Sequence, residues 1–597
     1  MTAWSNTGQM TGKADTLLRR GEFLAAYDAA VEGLEEDPSN VALKYQAMRS
    51  LADARALEQA QAEYTQYGLD AIYDDEDVMA LGARLLKEVT LEARRDRRRE
   101  LARDAAEKYG EAYRRTGGDY SGINTASLLF VAGDIDEARA LGQSVLDNLP
   151  AKSGEMGEAA YFTAATRAEA HLLLGNRAAA EDGLADAITR DPDNYIAHAG
   201  TLRQLAMILE AQSADAEWLN RHRPPKAAHF VGHMFELGQE GAASQEEAIR
   251  VAVIKTVESE RIGVGYGAIA AGSDIVIAEA MLEASTELHL VQPCPDDVFV
   301  ETSVRPYGES WVARFELCRE AADVSYATAD RSDFNGLDKA FSSQIAMGKA
   351  ILRAQSLATE AVQIAVWDEK PARGEAGTAH DVAYWRDTGL RQVILPFRLE
   401  RTHLACQPQP SRSFERKLMA MLFADTRGFG GLGDEQIPIF VEAVLGDLAR
   451  CCERFETKPA HFNTWGDGLF LAFDNISDAA KAALTLQNCF RSIDLTALGL
   501  PETLALRIAC HYGPVQEQTD PFLGKPNIFG NQVVVASRIE PVAVPGSIYV
   551  SEPFATVLTI SEADAFRCEY VGRLKLHKSS DPVPLFSLRR GPGHHSR

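Results

Sequence analysis

The sequence predicts a multidomain chain: an all-α array of helical repeats, then an α/β domain on a parallel sheet, then a domain of mixed strands and helices. Three observations carry that prediction. The first two hundred residues are rich in Ala, Leu, Glu and Arg at helical spacing and repeat their punctuation. Composition shifts near Arg221–Pro225, after which short apolar runs alternate with helical stretches. Beyond a polar stretch from Arg401 to Lys417, strand signals end in turns that carry carboxylates. The boundaries are 1–222 for the repeats, 225–400 for the α/β domain, 401–417 for a linker, 418–590 for the last domain and 591–597 for a tail.

Composition narrows the function classes. With 597 residues there is room for roughly three or four domains of about 150 residues. Lys and Arg number 61 against 86 Asp and Glu, a net charge of −25 that repels nucleic-acid phosphates and anionic lipid. The eight cysteines contain no C-x-x-C, so zinc ligation and a disulfide framework both lack support. The start, MTAWSNTGQM, has no basic stretch followed by an apolar one, and no apolar run approaches the ~18–20 residues a membrane span needs. The expectation is a cytoplasmic protein with neither nucleic-acid nor membrane partners.

In the first domain three segments carry Gly, then Ala five residues on, then Pro seventeen after the Gly: Gly21/Ala26/Pro38, Gly133/Ala138/Pro150 and Gly175/Ala180/Pro192. Each has an aliphatic residue thirteen after the Gly: Leu34, Leu146 and Ile188. Such spacing fits a helical hairpin whose turn lies near the Gly, whose Ala lets the helices approach, and whose Pro ends the second helix. It resembles the tetratricopeptide repeat, although the early Trp and Tyr positions of that family are not evident; an Ala-rich bundle is the other reading. Residues 40–130 are helical without this punctuation. They include Arg94, Arg95, Arg97, Arg98 and Arg99, read as a solvated helix face or a patch for a protein partner.

In the middle domain the apolar runs are His229–Met234, Ile275–Ala280, Leu288–Pro293, Ile364–Asp368 and Gln392–Phe397. Glycines at 263, 265, 267 and 272, and again at Gly374 and Gly377, fall at expected strand-to-helix turns. Two readings stand: backbone amides approaching a phosphate or ribose, or tight packing at sheet ends. The loops resemble those of the Rossmann-like ligand-sensing domains grouped as SLOG, which implies a sensor. His229 and His233 lack an evident third metal ligand and are expected to be buried or loop histidines.

The chemistry lies in the last domain. The apolar strand Lys417–Ala424 ends at Asp425-Thr426-Arg427-Gly428-Phe429-Gly430, and a second strand runs through Asn463 and Trp465 into Gly466-Asp467-Gly468, a tight hairpin. Two aspartates brought together at turns hold hard divalent cations of the kind phosphoryl transfer uses. Further motifs follow in order: RIACHYGPV, FGNQVVVASRIE and PGSIYVSE.

With FADTRGF and NTWGDGLFLAF, these five motifs resemble, in family order, the catalytic domain of class III nucleotide cyclases, the adenylate and guanylate cyclases. The resemblance implies an α+β, ferredoxin-like fold over 418–590 and conversion of a nucleoside triphosphate to a 3′,5′-cyclic nucleotide and pyrophosphate. It implies two Mg²⁺ or Mn²⁺ ions on Asp425, Asp467 and the Thr426 carbonyl. Gly428, Phe429 and Gly430 would hold the triphosphate where a helix begins, and Arg538 would stabilise charge at the α-phosphate. It further implies a homodimer in which one subunit supplies the aspartates and the other the arginine.

The chain also departs from the family. Asn463 stands where a base-reading Lys is usual, Asn527 where an Asp or small residue reads the base, and Val534 where an Asn orients the ribose. Lys578 sits about one residue out of register with a late phosphate-binding Lys. The readings are an active cyclase with altered base selection, a catalytically weak nucleotide-binding regulatory module, or an inert domain on a repeat scaffold. Control by a protein partner on 1–222 and a ligand on 225–400 completes the expectation.

Overall fold

The computed structural model describes residues 3–19, 23–53, 57–92, 95–151, 154–329, 336–371, 376–400, 416–522, 524–562, 565–576 and 582–591. They fall into two compact units, one mainly within 1–224 and one mainly within 225–597. Gly21, Arg94, Gly374, Lys578, linker residues 401–415 and tail residues 592–597 lie outside the described residues.

The first unit is helical: α1 (Ala3–Arg19), α2 (Phe23–Glu36), α3 (Val41–Asp53), α4 (Leu57–Gln66), α5 (Glu76–Glu92), α6 (Arg95–Thr116), α7 (Asp119–Ala132), α8 (Ile135–Asn148), α9 (Glu158–Leu173), α10 (Arg177–Arg190) and α11 (Tyr195–Ala211). The repeat punctuation does what its chemistry requires. Gly133 and Gly175 sit between the helices of α7/α8 and α9/α10 at φ of 96° and 84°, a left-handed conformation that costs glycine little. Ala26, Ala138 and Ala180 are fully buried, and Pro38, Pro150 and Pro192 stand just beyond α2, α8 and α10. In the unpunctuated stretch, Arg97 pairs with Glu100 on an exposed face, while Arg98 reaches Glu210 of α11.

In the second unit six strands form an all-parallel sheet in the order β4-β3-β2-β1-β5-β6: β1 (Lys226–Gly232), β2 (Ile262–Gly267), β3 (Glu287–Gln292), β4 (Asp323–Tyr326), β5 (Ala361–Trp367) and β6 (Arg391–Pro396). Helices α12 (Ala242–Glu260), α13 (Ser273–Glu283), α14 (Asp296–Ser303) and α15 (Glu309–Glu320) pack with one face of the sheet. Helices α16 (Gly336–Ser356) and α17 (Thr378–Arg386) pack with the other.

Two expectations for this domain are corrected. Ile275–Ala280 is the buried middle of α13, not a strand; a short run apolar on all sides does not reveal its period. The glycines at 263, 265 and 267 lie inside β2 instead of in a loop. A Cβ at Gly265 would stand 2.6 Å from Met281 Sδ, and one at Gly267 2.7 Å from the Phe230 carbonyl oxygen, so close packing accounts for both. At the start of α13, Asp274 accepts from the Gly232 amide at 2.6 Å and the Ala270 amide at 3.3 Å. His229 is buried and hydrogen-bonded to Gln363, and His233 pairs with Asp368 at 3.1 Å.

The C-terminal part is a second, mixed sheet. Its strands are β7 (Arg416–Arg427), β8 (His461–Trp465), β9 (Gly468–Phe473), β10 (Ala505–Thr519), β11 (Pro526–Phe529), β12 (Ile548–Ser551), β13 (Phe566–Lys575) and β14 (Pro582–Arg590). The order is β13-β14-β12-β10-β7-β9-β8, with β11 pairing onto β10. The helices are α18 (Gln436–Ile439), continuing through a π-helical turn at Phe440–Leu445 into α19 (Gly446–Glu453), then α20 (Ile476–Arg491), α21 (Asn531–Ile539) and α22 (Glu552–Ser561). Period-2 alternation along β7 explains the layers: Ala420, Leu422 and Ala424 enter the main helical core, while Met419 and Met421 pack with Phe470, Val515 and Ala536 on the opposite face. Arg416 and Lys417, read as linker, are the first residues of β7. Among the described residues no helix is long and apolar enough to cross a membrane.

Candidate active site

β7 lies between β10 and β9, so its C-terminal end meets the turn that joins β8 to β9. That turn is the expected two-residue hairpin: Trp465 pairs with Gly468, and Gly466 has φ of 63°. It delivers Asp467 to β7, where the carboxylate accepts from the Thr426 amide at 3.2 Å. Burial first and the neighbouring Asp425 second push the Asp467 carboxyl above its ordinary value, against the pull of the Thr426 amide. Two acidic side chains competing for one place create a strong demand for positive charge.

Part of that charge comes from Arg507, which the motif reading did not single out. In the antiparallel register of β7 and β10, Arg507 lies opposite Asp425, and its Nη2 donates to Asp425 Oδ2 at 2.7 Å. Its Nε stands 2.9 Å from Oε1 of Glu540, just past α21. Glu540 is pushed up to about 7, by burial above all and then by Asp425 and Asp467, with Arg507 opposing. The hydroxyl of Thr426 is buried without a hydrogen-bond partner among the described residues. This set of hard oxygens around a compensating guanidinium fits divalent cations.

Residues 413–588 match the family model described as the adenylate and guanylate cyclase catalytic domain. The chain carries a class III cyclase catalytic domain. A second model, tetratricopeptide repeats-sensor, matches residues 23–129, and neither model extends over 225–400. No curated protein matches the chain. Similar solved structures include the adenylyl cyclase CyaB from P. aeruginosa, 19% identical over 30% of this chain and 97% of that one with a TM-score of 0.26. Another is the guanylate cyclase domain of RhGC from Catenaria anguillulae in complex with GTP, at 16% identity, 30% and 99% coverage and a TM-score of 0.25. Adenylate cyclases from Trypanosoma brucei in their monomeric state are 18% identical, covering 30% of this chain and 92% of theirs with a TM-score of 0.26.

In the cyclase domain, Asp425, Thr426 and Asp467 are brought together, whereas Asn527 lies on β11, which pairs with the 516–519 end of β10, away from Arg507 and the aspartate opposite it. Gly428 has φ of 93° and precedes a single 3₁₀ turn, Phe429–Gly431, whose own hydrogen bonds use the amides of Gly431 and Leu432. The helix proper starts at Gln436, so the glycine turn is not the helix start that was expected; Leu432, Gly433, Asp434 and Glu435 intervene, with the Gly433 amide donating to Gln436. Phe429 packs on Phe440 with ring centroids 5.1 Å apart. Arg538 is on the last turn of α21, two residues before Glu540.

Asn463 lies on the edge strand β8 and accepts from the Thr464 amide. Asn527, on β11, donates to Asp520 at 3.1 Å and accepts from the Ile528 amide. Both asparagines thus have local backbone partners as well as side-chain donors and acceptors. Val534 is 43% exposed on α21, and Phe462, Trp465 and Phe529 are exposed as well.

Proposed function

We propose that this chain is a nucleotide cyclase: it binds a nucleoside triphosphate, drives the ribose 3′-oxygen onto the α-phosphorus and releases pyrophosphate, leaving a 3′,5′-cyclic nucleotide. The observation that carries the reading is the meeting of Asp425 and Asp467 at the ends of β7 and the β8–β9 hairpin, tied by the Thr426 amide at 3.2 Å. Asp425, Asp467 and the Thr426 carbonyl would hold two Mg²⁺ or Mn²⁺ ions. Bound there, such cations supply neutralisation of the triphosphate and a more acidic 3′-hydroxyl.

The chain's own residues do the rest. Arg507 offsets the paired carboxylates until substrate arrives, and Glu540 keeps its guanidinium at the β10 side of the site. Asn463 and Asn527 present amides that accept and donate, suited to a base without strict selection. Gly428, Phe429 and Gly430 would hold the triphosphate. Arg538 of the partner subunit would stabilise charge on the α-phosphate in a head-to-tail homodimer. The exposed Phe462, Trp465, Phe529 and Val534 support such a pairing.

Val534 favours a second reading, a nucleotide-binding module of low turnover, because valine offers no hydrogen bond to a ribose. In either case the helical repeats would engage a protein partner and the chain would act in the cytoplasm. Incubating the full chain with ATP, GTP, CTP or UTP and Mn²⁺ separates the two. Cyclic product supports the enzyme; binding of nucleotide with no cyclic product from any of the four supports the module.

A further inference from the structure

Helix α16 has no exposed stripe along most of its length. Phe341, Ile345, Met347 and Ile351 are buried, and so are Ser342, Ala346, Gly348 and Ala350. One side contributes to a core with Ala227, Val264 and Val291 of the parallel sheet, and the same core runs on without a break into the cyclase domain. A helix apolar on all sides is a buried layer. Here the two layers it separates are the six-stranded sheet and the cyclase domain.

The contact with the cyclase domain is built from specific pieces. At Gly348 the helix passes so near α22 that a Cβ would lie 2.4 Å from both the Cβ and the carbonyl oxygen of Thr556, a fully buried residue. Lys349 pairs with Glu552 at 3.2 Å, and the rings of Phe341 and Tyr512 are 6.0 Å apart. At the N-terminal end of α16, Asp338 takes both guanidinium nitrogens of Arg416, each at 3.1 Å. This fork is almost out of solvent, with the side chains 2% and 7% exposed.

Arg416 is the first residue of β7, and the same strand delivers Asp425 and Thr426 at its other end. A strand paired on both sides moves as a unit, because shifting one end breaks ladder bonds along its length. We propose that α16 is a working layer of the cyclase domain and that Asp338 is a positioning residue which, through Arg416, fixes the strand carrying Asp425 and Thr426. The parallel-sheet domain then sets catalytic geometry by where it holds α16, with or without a ligand of its own. The turnover part of this proposal rests on the cyclase reading; the strand-anchoring part does not.

The test uses the full chain in four variants: Asp338→Asn, Asp338→Asn with Arg416→Met, Gly348→Ala, and Lys349→Met as the partly exposed control. Amide hydrogen exchange over 416–427 is measured beside kcat and KM for nucleotide with Mn²⁺. Asp338→Asn strands a buried guanidinium, so exchange over 416–427 should quicken by about tenfold or more and kcat should fall with KM little changed. Removing both charges should return exchange and kcat towards wild type, since a buried pair can be replaced by apolar groups at little cost. Wild-type exchange over 416–427 in Asp338→Asn overturns the proposal, and because exchange needs no turnover, an inactive wild type would sink only the cyclase reading. Should Asp338→Asn not fold, Gly348→Ala decides. Faster exchange over 416–427 in Gly348→Ala than in wild type then supports the coupling of α16 to the strand, and wild-type exchange in it overturns the proposal.

Discussion

Replacing Arg507 by Met removes the guanidinium that pairs with both Asp425 and Glu540. The guanidinium touches Asp425 at 2.7 Å and Glu540 at 2.9 Å, with side-chain exposures of 21%, 32% and 13% for Arg507, Asp425 and Glu540. Each pair at ~4 Å between charge centres has a gross attraction of about 4 kcal/mol at an effective dielectric of ~20. Desolvation and partial solvent screening leave a net charge-assisted bond of about 1.5–3 kcal/mol. The loss is capped, because Glu540, already pushed up to about 7, can take a proton when its partner goes. Arg507→Met should therefore lose about 2 kcal/mol without divalent metal, a fall in Tm of about 4 °C. The same change takes away the guanidinium that competes with a dication for Asp425. Mn²⁺ should then bind about 10–30-fold more tightly to the variant, the factor that 1.4–2 kcal/mol gives. Titration calorimetry measures the affinity and scanning calorimetry with and without Mn²⁺ measures the stability. Equal Mn²⁺ affinity in wild type and variant would refute the assignment of Asp425 as a cation ligand held in check by Arg507.

Asp425→Ala and Arg538→Ala should each abolish cyclic product while leaving the fold intact, and mixing them should restore about a quarter of wild-type turnover, since about half the dimers are mixed and each has one whole site; no recovery with dimers confirmed by light scattering argues against shared sites. Burial lowers His511 to about 4, a neutral ring held by Ser551 and Gln532, against ~6.5 unfolded. The folded state therefore binds fewer protons between these values, and its contribution, full above pH ~6.5, is lost as pH falls through the window, by about 2 kcal/mol between pH 7 and 5. Glu540 works in the opposite sense, so urea unfolding of His511→Gln beside wild type isolates the histidine; identical pH slopes would exclude it. A chain beginning at Arg416 should be less soluble and melt lower than one beginning at Pro225, because it uncovers Thr556 and Tyr512; equal melting by scanning calorimetry would show that the cyclase domain stands alone.

The repeat punctuation and the two aspartates were legible because each signal is local. Gly133 with Pro150, and Gly175 with Pro192, mark a turn and a stop by backbone chemistry alone, and Asp467 sits in a two-residue turn whose glycines announce it. The glycines of β2 misled for the same reason in reverse. Gly265 and Gly267 are small because Met281 and Phe230 press on them, and nothing adjacent in sequence distinguishes that from a turn. Arg507 and Glu540 escaped because they join Asp425 only through the β7–β10 register and the end of α21, 82 residues or more away from it. A trace was present all the same: in the strand Leu506-Arg507-Ile508, a lone charge between two buried aliphatic residues requires a partner, and the partner is the aspartate opposite.

Helix α16 packs across the expected boundary at 400/418. A division at 400/418 treats the sensor and the catalyst as separate bodies joined by a linker, yet Asp338, Gly348 and Lys349 from one side and Arg416, Thr556 and Glu552 from the other are buried against each other or paired. The signal was again in the pattern. Phe341, Ile345, Met347 and Ile351 with Ala346, Ala350, Leu352 and Ala354 cover more of the helix than a stripe for one neighbour needs, so a second layer had to exist. Two charged groups of the helix, Asp338 and Lys349, find opposite charges in that layer, Arg416 and Glu552. A polar linker rich in Pro and Gln can be long and still join two parts that share one core, and here α16 is the element that both parts share.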